Sequence, residues 1–427
     1  MRRTKYQGRS TNRWARRNSF VLRPSSFRRR GVTIMEVLFA IMVTGIGLTA
    51  ALTLLPVAAT QARKARTADA SSSAVTAAVG YFDAMGMRKP QNWIAYNMGT
   101  GTPRYPWAEF QAGTASWFDG SQSFCIDPRM IAANLQNQVN PLLGVTGTTL
   151  PPGGRSGATT FPRNIVYGPN QPAMWRLSLY SGLNGPGPAF APLPLPKLMA
   201  DSAFVFDDDL NYDRAADASL VSSQVLDYLP GAATTPARRQ REGHLAWMAT
   251  LVPKLDRYVG VTSNIRPLIN TYVLSVVVFY DRPANLVYNA DPLNERVLNV
   301  AAMPGGGVTG GEVLLRTTGN PVDQQDADKQ LNVHTNEWIM LMGTLPSVQI
   351  GIDPVSSNPV FTDPVHVFKW YRVSDIEAEV TWPGPGNPAE RYITLMGQDW
   401  IVPLANTQAV AMEGVVAVVE KTIRLEP

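Results

Sequence analysis

The chain has 427 residues, of which 45% are hydrophobic and 17% charged. With 10 Trp, 14 Tyr and 14 Phe it carries too much apolar surface for intrinsic disorder, while 34 Gly and 34 Pro argue against a helical bundle. The net charge of +5 is unevenly placed: residues 1–30 hold eleven Lys and Arg and no acid, leaving 27 basic against 33 acidic groups in the rest. The body is therefore mildly acidic, which removes the electrostatic basis for nucleic-acid binding. A single cysteine, Cys125, excludes an intrachain disulfide and reads as a buried structural thiol.

From Val32 to Ala62 the only charge is Glu36. As a helix this run is about 46 Å long, more than the roughly 30 Å of a bilayer's hydrocarbon core. It is also too long for the apolar region of a secretory signal peptide. The segment predicts one membrane span, and the basic residues before it place the N-terminus in the cytoplasm and the remainder outside. A carboxylate inside such a run is costly. Were the chain cut after Gly31, the new α-amino group of Val32 would lie one helical turn from Glu36, and the two charges could neutralise each other within or between subunits.

The run Arg28-Arg29-Arg30-Gly31-Val32-Thr33-Ile34-Met35-Glu36-Val37-Leu38 resembles the processing signal of type IV prepilins and type II secretion pseudopilins. The resemblance covers about residues 28–66. It implies a prepilin peptidase that cleaves between Gly31 and Val32 and methylates the Val32 amine, with Glu36 serving subunit assembly. Val32 stands where Phe or Met is more usual. Gly45-Ile46-Gly47-Leu48 is similar to the minor-pilin branch, and the small residues Gly45, Gly47 and Thr49 would let helices approach closely. The implied partners are the peptidase, other pilin or pseudopilin subunits, an inner-membrane assembly platform and the lipid bilayer. The implied location is a bacterial inner membrane, with the C-terminal part periplasmic or carried into a filament. The competing reading is an unprocessed single-pass ectodomain acting as a receptor or enzyme.

The organisation expected is a basic leader over 1–31, an assembly helix over 32–62 and its outer half over 63–86. A loop-rich insertion over 87–267 and a β-rich region over 268–427 follow. The outer half carries an apolar stripe of Val75, Ala78, Val79, Phe82 and Met85, with Gly86 as a stop and Pro56 as a kink. Pro/Gly-rich tracts over 141–157 and 182–196 read as loops, and Asp127-Pro128 caps a short helix. Strands are expected over 271–280, 312–316, 337–342, 365–373, 376–382, 391–395 and 414–425. The fold class predicted is α+β: one long helix against a mainly antiparallel sheet, pilin-like, with large loop insertions.

No nucleotide-binding, nucleophile-elbow, HExxH or CxxC motif is present, so no enzymatic activity is expected. His244, His334 and His366 share no ligand spacing. Asp207, Asp209, Asn211 and Asp213 alternate as in a calcium loop, but Tyr212 replaces the loop glycine and Ala218 stands where the closing carboxylate belongs. A solvated acidic turn is the favoured reading, calcium the weaker one, and no other cofactor is expected.

Overall fold

The structure is a computed structural model and describes residues 33–97, 102–104, 122–132, 160–162, 172–180, 194–195, 197–206, 244–257, 265–282, 295–345, 349–352, 359–361 and 364–426. The chain divides into two compact units, Met1–Lys64 and Ala65–Pro427.

Helix α1 spans Ile34–Ala84 and continues through Pro56. Up to Ala62 its described side chains are all exposed. From Ala65 onward one face turns inward, and Ala74, Val75, Ala78 and Phe82 are buried. The helix ends in a Schellman turn: Gly86 adopts φ +63°, the Met87 amide donates to Phe82 O at 3.1 Å and the Gly86 amide to Asp83 O at 3.1 Å.

Short strands follow: β1 (Trp93–Asn97), β2 (Thr102–Arg104), β3 (Phe124–Ile126), β4 (Thr160–Phe161) and β5 (Met174–Leu179). Helix α2 (Lys197–Phe204) then leads to two long strands, β6 (Leu245–Arg257) and β7 (Ile265–Tyr280). Next come β8 (Glu295–Ala302), β9 (Gly310–Thr317), α3 (Gln324–Gln330) and β10 (Trp338–Leu345). A small hairpin, β11 (Gln349–Ile352) and β12 (Pro359–Phe361), precedes β13 (Val365–Ile376), β14 (Glu390–Met396), β15 (Thr407–Met412) and β16 (Val415–Arg424).

The strands form two main bodies. A large sheet runs β16-β7-β6-β3-β5-β1-β2, with β4 added on β5, and β10-β13-β14-β9-β8-β15 close into a barrel. All of these pairings are antiparallel except β3 with β5.

Alternation along the strands gives the sheet two apolar faces. One face, with Trp93, Phe124, Leu177, Trp247, Leu274 and Ile423, packs under Val75, Ala78 and Phe82 of α1 and under Phe204 of α2. Phe204 stacks on Trp247 with ring centroids 4.5 Å apart. The opposite face, through Cys125, Met174, Met248, Val277 and Phe279, packs on the outer wall of the barrel at Met340, Met342, Phe368, Trp370 and Val410. The barrel interior is a third core built on Leu315, Ile339, Leu341, Tyr371 and Ile393. Unit 2 is thus layered as helix, sheet and barrel.

A long apolar helix and a mainly antiparallel β body match the expected class; the closed barrel does not follow from it. The strands after residue 268 are shared between two bodies, because β7 and β16 join the large sheet and the strands between them close on themselves. Six strands of the large sheet, β1 to β6, lie in the stretch whose sequence reads as loops. β1 to β5 are at most six residues long, and β6 carries three Leu and two Ala with Pro253 inside. The proline sits at a register shift between Pro253 and Leu255, where the ladder tolerates a missing donor. The expected strand over 376–382 does not form: Ile376 ends β13, and Thr381 makes only an isolated bridge to Glu390. A bulge between Val373 and Asp375 lets β13 run on as one strand through the sequence break.

Cys125 is fully buried and unpaired, and burial pushes its thiol far above the ordinary range. We expect a thiol-alkylating reagent at neutral pH to leave the native protein unmodified and to label one site in denaturant. Stoichiometric native labelling, counted by mass, would contradict the packing around β3.

Candidate functional site: the apolar helix and its lone carboxylate

Thr33 caps α1. Its hydroxyl accepts from the Glu36 amide at 3.3 Å, and its carbonyl accepts from the Glu36 and Val37 amides at 3.0 and 3.2 Å. Glu36 therefore occupies the third helical position of a Thr-x-x-Glu capping arrangement, where a negative charge also complements the helix dipole. The carboxylate is exposed. The structure gives Glu36 a local role at the helix start in addition to any role between chains.

Beyond it the exposed surface is apolar on every side, including Ile34, Leu38, Phe39, Ile41, Ile46, Leu48 and Leu54. Polar groups in this stretch are internally satisfied: Thr44 Oγ1 donates to Ala40 O at 2.7 Å and Thr49 Oγ1 to Gly45 O at 2.9 Å. This is the one described helix long and apolar enough to cross a membrane.

The three proposed packing residues do not share a face. Gly45 and Thr49 are four residues apart and lie one above the other, whereas Gly47 is two residues on and points to the other side. A Cβ at Gly45 or Gly47 would meet nothing within 4 Å, so neither glycine is required by this chain's own packing. Pro56 lies inside the helix and removes the donor that would bond Leu52 O. Gly31 and Val32 lie outside the described residues, as do Asp207, Asp209, Asn211 and Asp213.

The histidines stay apart. His244 pairs with Asp281, His334 with Glu337 and His366 with Thr344. Among the described residues no group of three or more His, Cys, Asp or Glu is placed to hold a metal.

A buried ionic cluster joins sheet to barrel, and the sequence reading missed it. Arg176 on β5 is fully buried, donates to Asp127 Oδ2 at 2.5 Å and forks onto both Glu295 oxygens of β8 at 2.9 and 2.8 Å. Arg282, just after β7, grips Asp127 at 3.1 and 2.6 Å. Arg129 reaches Asp201 on α2 at 3.0 Å. Three cations thus meet three anions. Burial pushes the Asp127 carboxyl up, but the Arg282 and Arg176 charges outweigh it and hold it down to about 2. Asp127 reads from sequence only as a helix cap, a bond it also makes, through the Met130 amide at 3.4 Å. The usable signal was Arg176, a lone charge inside the apolar strand Met-Trp-Arg-Leu-Ser-Leu. The cluster fastens two β bodies together through Arg176 and Glu295, and among the described residues one of its buried donors, Arg129 Nη1, has no hydrogen-bond partner.

No protein-family model, curated protein or solved structure matches this chain.

Proposed function

We propose that the chain is a minor pilin or pseudopilin, cut after Gly31 by a prepilin peptidase and assembled through α1 into a filament of the type IV pilus, type II secretion or competence kind. The observation that carries this reading is the change of environment along one helix. Its first half leaves all described side chains exposed, with Glu36 their one charge, while one face from Ala65 onward packs on an antiparallel sheet. A helix of that composition needs lipid or neighbouring apolar helices around it. The Arg-Arg-Arg-Gly-Val sequence before it resembles the substrate pattern of the peptidase, and Glu36 stands at the helix start where a new Val32 amine could meet it. The role is structural. Cleavage would leave 396 residues, bulky for a tightly repeated major subunit, which favours a tip or low-copy position.

The test is the mature N-terminus in a native membrane fraction. Intact-mass and peptide analysis should find N-methylated Val32 as the first residue. Finding Met1, or any peptide from the leader still attached to the membrane-bound protein, would replace this reading with an unprocessed tethered receptor or enzyme.

A further inference from the structure

The barrel-facing side of the large sheet carries one polar row. Arg176 stands beside Cys125, Cys125 beside Thr250, Thr250 beside Ser275 and Ser275 beside Glu420, in a single line across β5, β3, β6, β7 and β16. At about 4.8 Å per strand the two ends of this line lie about 19 Å apart. The neighbouring row, Met248, Val277 and Val418, is apolar and packs on the outer wall of the barrel. Thr250 and Ser275 are buried, and Thr250 Oγ1 accepts from the Trp370 indole of β13 at 3.3 Å. A charged residue therefore closes each end of a mostly apolar contact.

The two ends are built differently. Arg176 is fully buried and forks onto Glu295 of the barrel. Glu420 instead fills a break in the barrel wall. The ladder between β13 and β14 stops at Arg372 and Met396, and the Gly397 amide turns away to donate to Thr309 O at 3.2 Å. Where β14 would have continued, the Glu420 carboxylate accepts from the Trp370 main-chain amide, the Ser275 side chain and Gln398 Nε2, the last at 3.2 Å. The titratable groups facing it are Lys369 and Tyr371 of β13 and Asp399 beyond β14. Lys369 Nζ donates to Asp399 O at 2.8 Å rather than to the Glu420 carboxylate. Partial burial raises the Glu420 carboxyl above its ordinary range, against the opposing Lys369 charge and the Ser275 and Trp370 bonds. Among the described residues Glu420 keeps an exposed flank, so protons reach it without unfolding.

We propose that Glu420 is a proton-operated latch on the β16 end of the sheet–barrel contact. Neutral, it holds β16 on β13 and on the 397–399 turn; ionised, it lets that end open while the Arg176 end stays closed. A neutral carboxyl still accepts through its carbonyl oxygen and gains a proton to donate to the Ser275 hydroxyl. The folded-state value lies above the ordinary 4.5, so the stabilisation is complete below about pH 4.5 and is lost as pH rises through the raised value. Asp127, bonded to Arg176, has the opposite sign: it is charged throughout this window and releases only in stronger acid. The two ends of one contact thus loosen in opposite directions of pH.

The experiment is native-state amide exchange of the detergent-solubilised full-length chain, read by peptide mass between pH 5 and pH 8 with labelling times matched for intrinsic rate. Peptides from β16 and from residues 365–371 of β13 should lose protection by about three-fold or more at the upper end, while β5 peptides keep theirs. Glu420→Gln, which cannot ionise, should hold the pH 5 protection at pH 8. Lys369→Met, which removes the cation favouring the ionised form, should move the loss to higher pH. Constant protection across the series in the wild type, the same loss in Glu420→Gln, or an equal loss in the β5 peptides would each overturn the latch. The wild-type series decides the matter even if a variant fails to fold, and none of these outcomes depends on cleavage after Gly31.

Discussion

Asp127→Ala is expected to cost about 3–5 kcal/mol of stability, on the scale of other buried ion pairs that lose one partner. Among the described residues the carboxylate is the only one bonded to two buried guanidinium groups, Arg176 and Arg282. Without it Arg176 keeps the Glu295 fork, but among the described residues Arg282 keeps only its seat over the Phe279 ring, 4.6 Å from the centroid. An unpaired cation would then be buried between sheet and barrel. In thermal melts of the detergent-solubilised protein the midpoint should fall by on the order of 10 °C. Glu295→Gln should cost less, because Arg176 retains Asp127 and one neutral acceptor. A loss below about 1 kcal/mol for Asp127→Ala would mean that water reaches the cluster and that its bonds are worth no more than surface pairs.

The pH dependence has a fixed sign. The Asp127 carboxyl is held at about 2 when folded, below the ordinary aspartate value of 3.8, so its contribution is present above pH 4 and is lost as pH falls through that interval toward 2. A melt series between pH 5 and pH 2 should show the wild type losing stability faster than Asp127→Ala. The cluster also fixes geometry. Its bonds are directional, whereas the Met-rich contact of Met174, Met248, Met340 and Met342 around it would tolerate sliding.

The parts of the fold that were legible in the sequence are those with strong periodic or compositional signals. The Val32–Ala62 run and the stripe through Val75, Ala78 and Phe82 gave α1, and Gly86 marked its end because a left-handed turn favours glycine. β7 and β16 were visible as β-branched runs. What was not legible depends on distant pairing. β3 is three residues long and becomes a central strand only because β5 and β6 flank it, from about 50 and 120 residues further along the chain. Barrel closure between β15 and β8 joins residues such as Ala409 and Leu298, and no local pattern encodes that contact. The same holds for Arg176 and Glu295, which are 119 positions apart. The helix-start site is local, so Thr33, Glu36 and their spacing could be read directly. Its two functions could not be separated that way, since capping and charge pairing ask for the same residue at the same place.

Magnitudes separate them. If Glu36 only complements the helix dipole, Glu36→Gln should cost about 0.3–1 kcal/mol, at most roughly a five-fold effect on any equilibrium it enters. If it neutralises the Val32 amine of its own or a neighbouring chain in apolar surroundings, the interaction is worth about 4 kcal/mol at 4 Å with an effective dielectric of about 20. We therefore expect Glu36→Gln to leave cleavage after Gly31 unchanged and to lower the amount recovered in sheared filaments by about ten-fold or more, a change of at least about 1.4 kcal/mol. Thr33→Ala is the matched control. It removes the hydroxyl that accepts from the Glu36 amide, costing about 1 kcal/mol of capping, and keeps the carboxylate. The charge-pairing role predicts a much larger loss of incorporation in Glu36→Gln than in Thr33→Ala, measured against equal membrane levels of cleaved protein. Equal losses in the two variants would assign Glu36 to the helix start alone. A drop in cleavage with Glu36→Gln would move its role upstream, to recognition by the peptidase. Since amine and carboxylate can pair only once Gly31 is gone, the uncleaved precursor should show no more than the small helix-start cost of the substitution, about 0.3–1 kcal/mol.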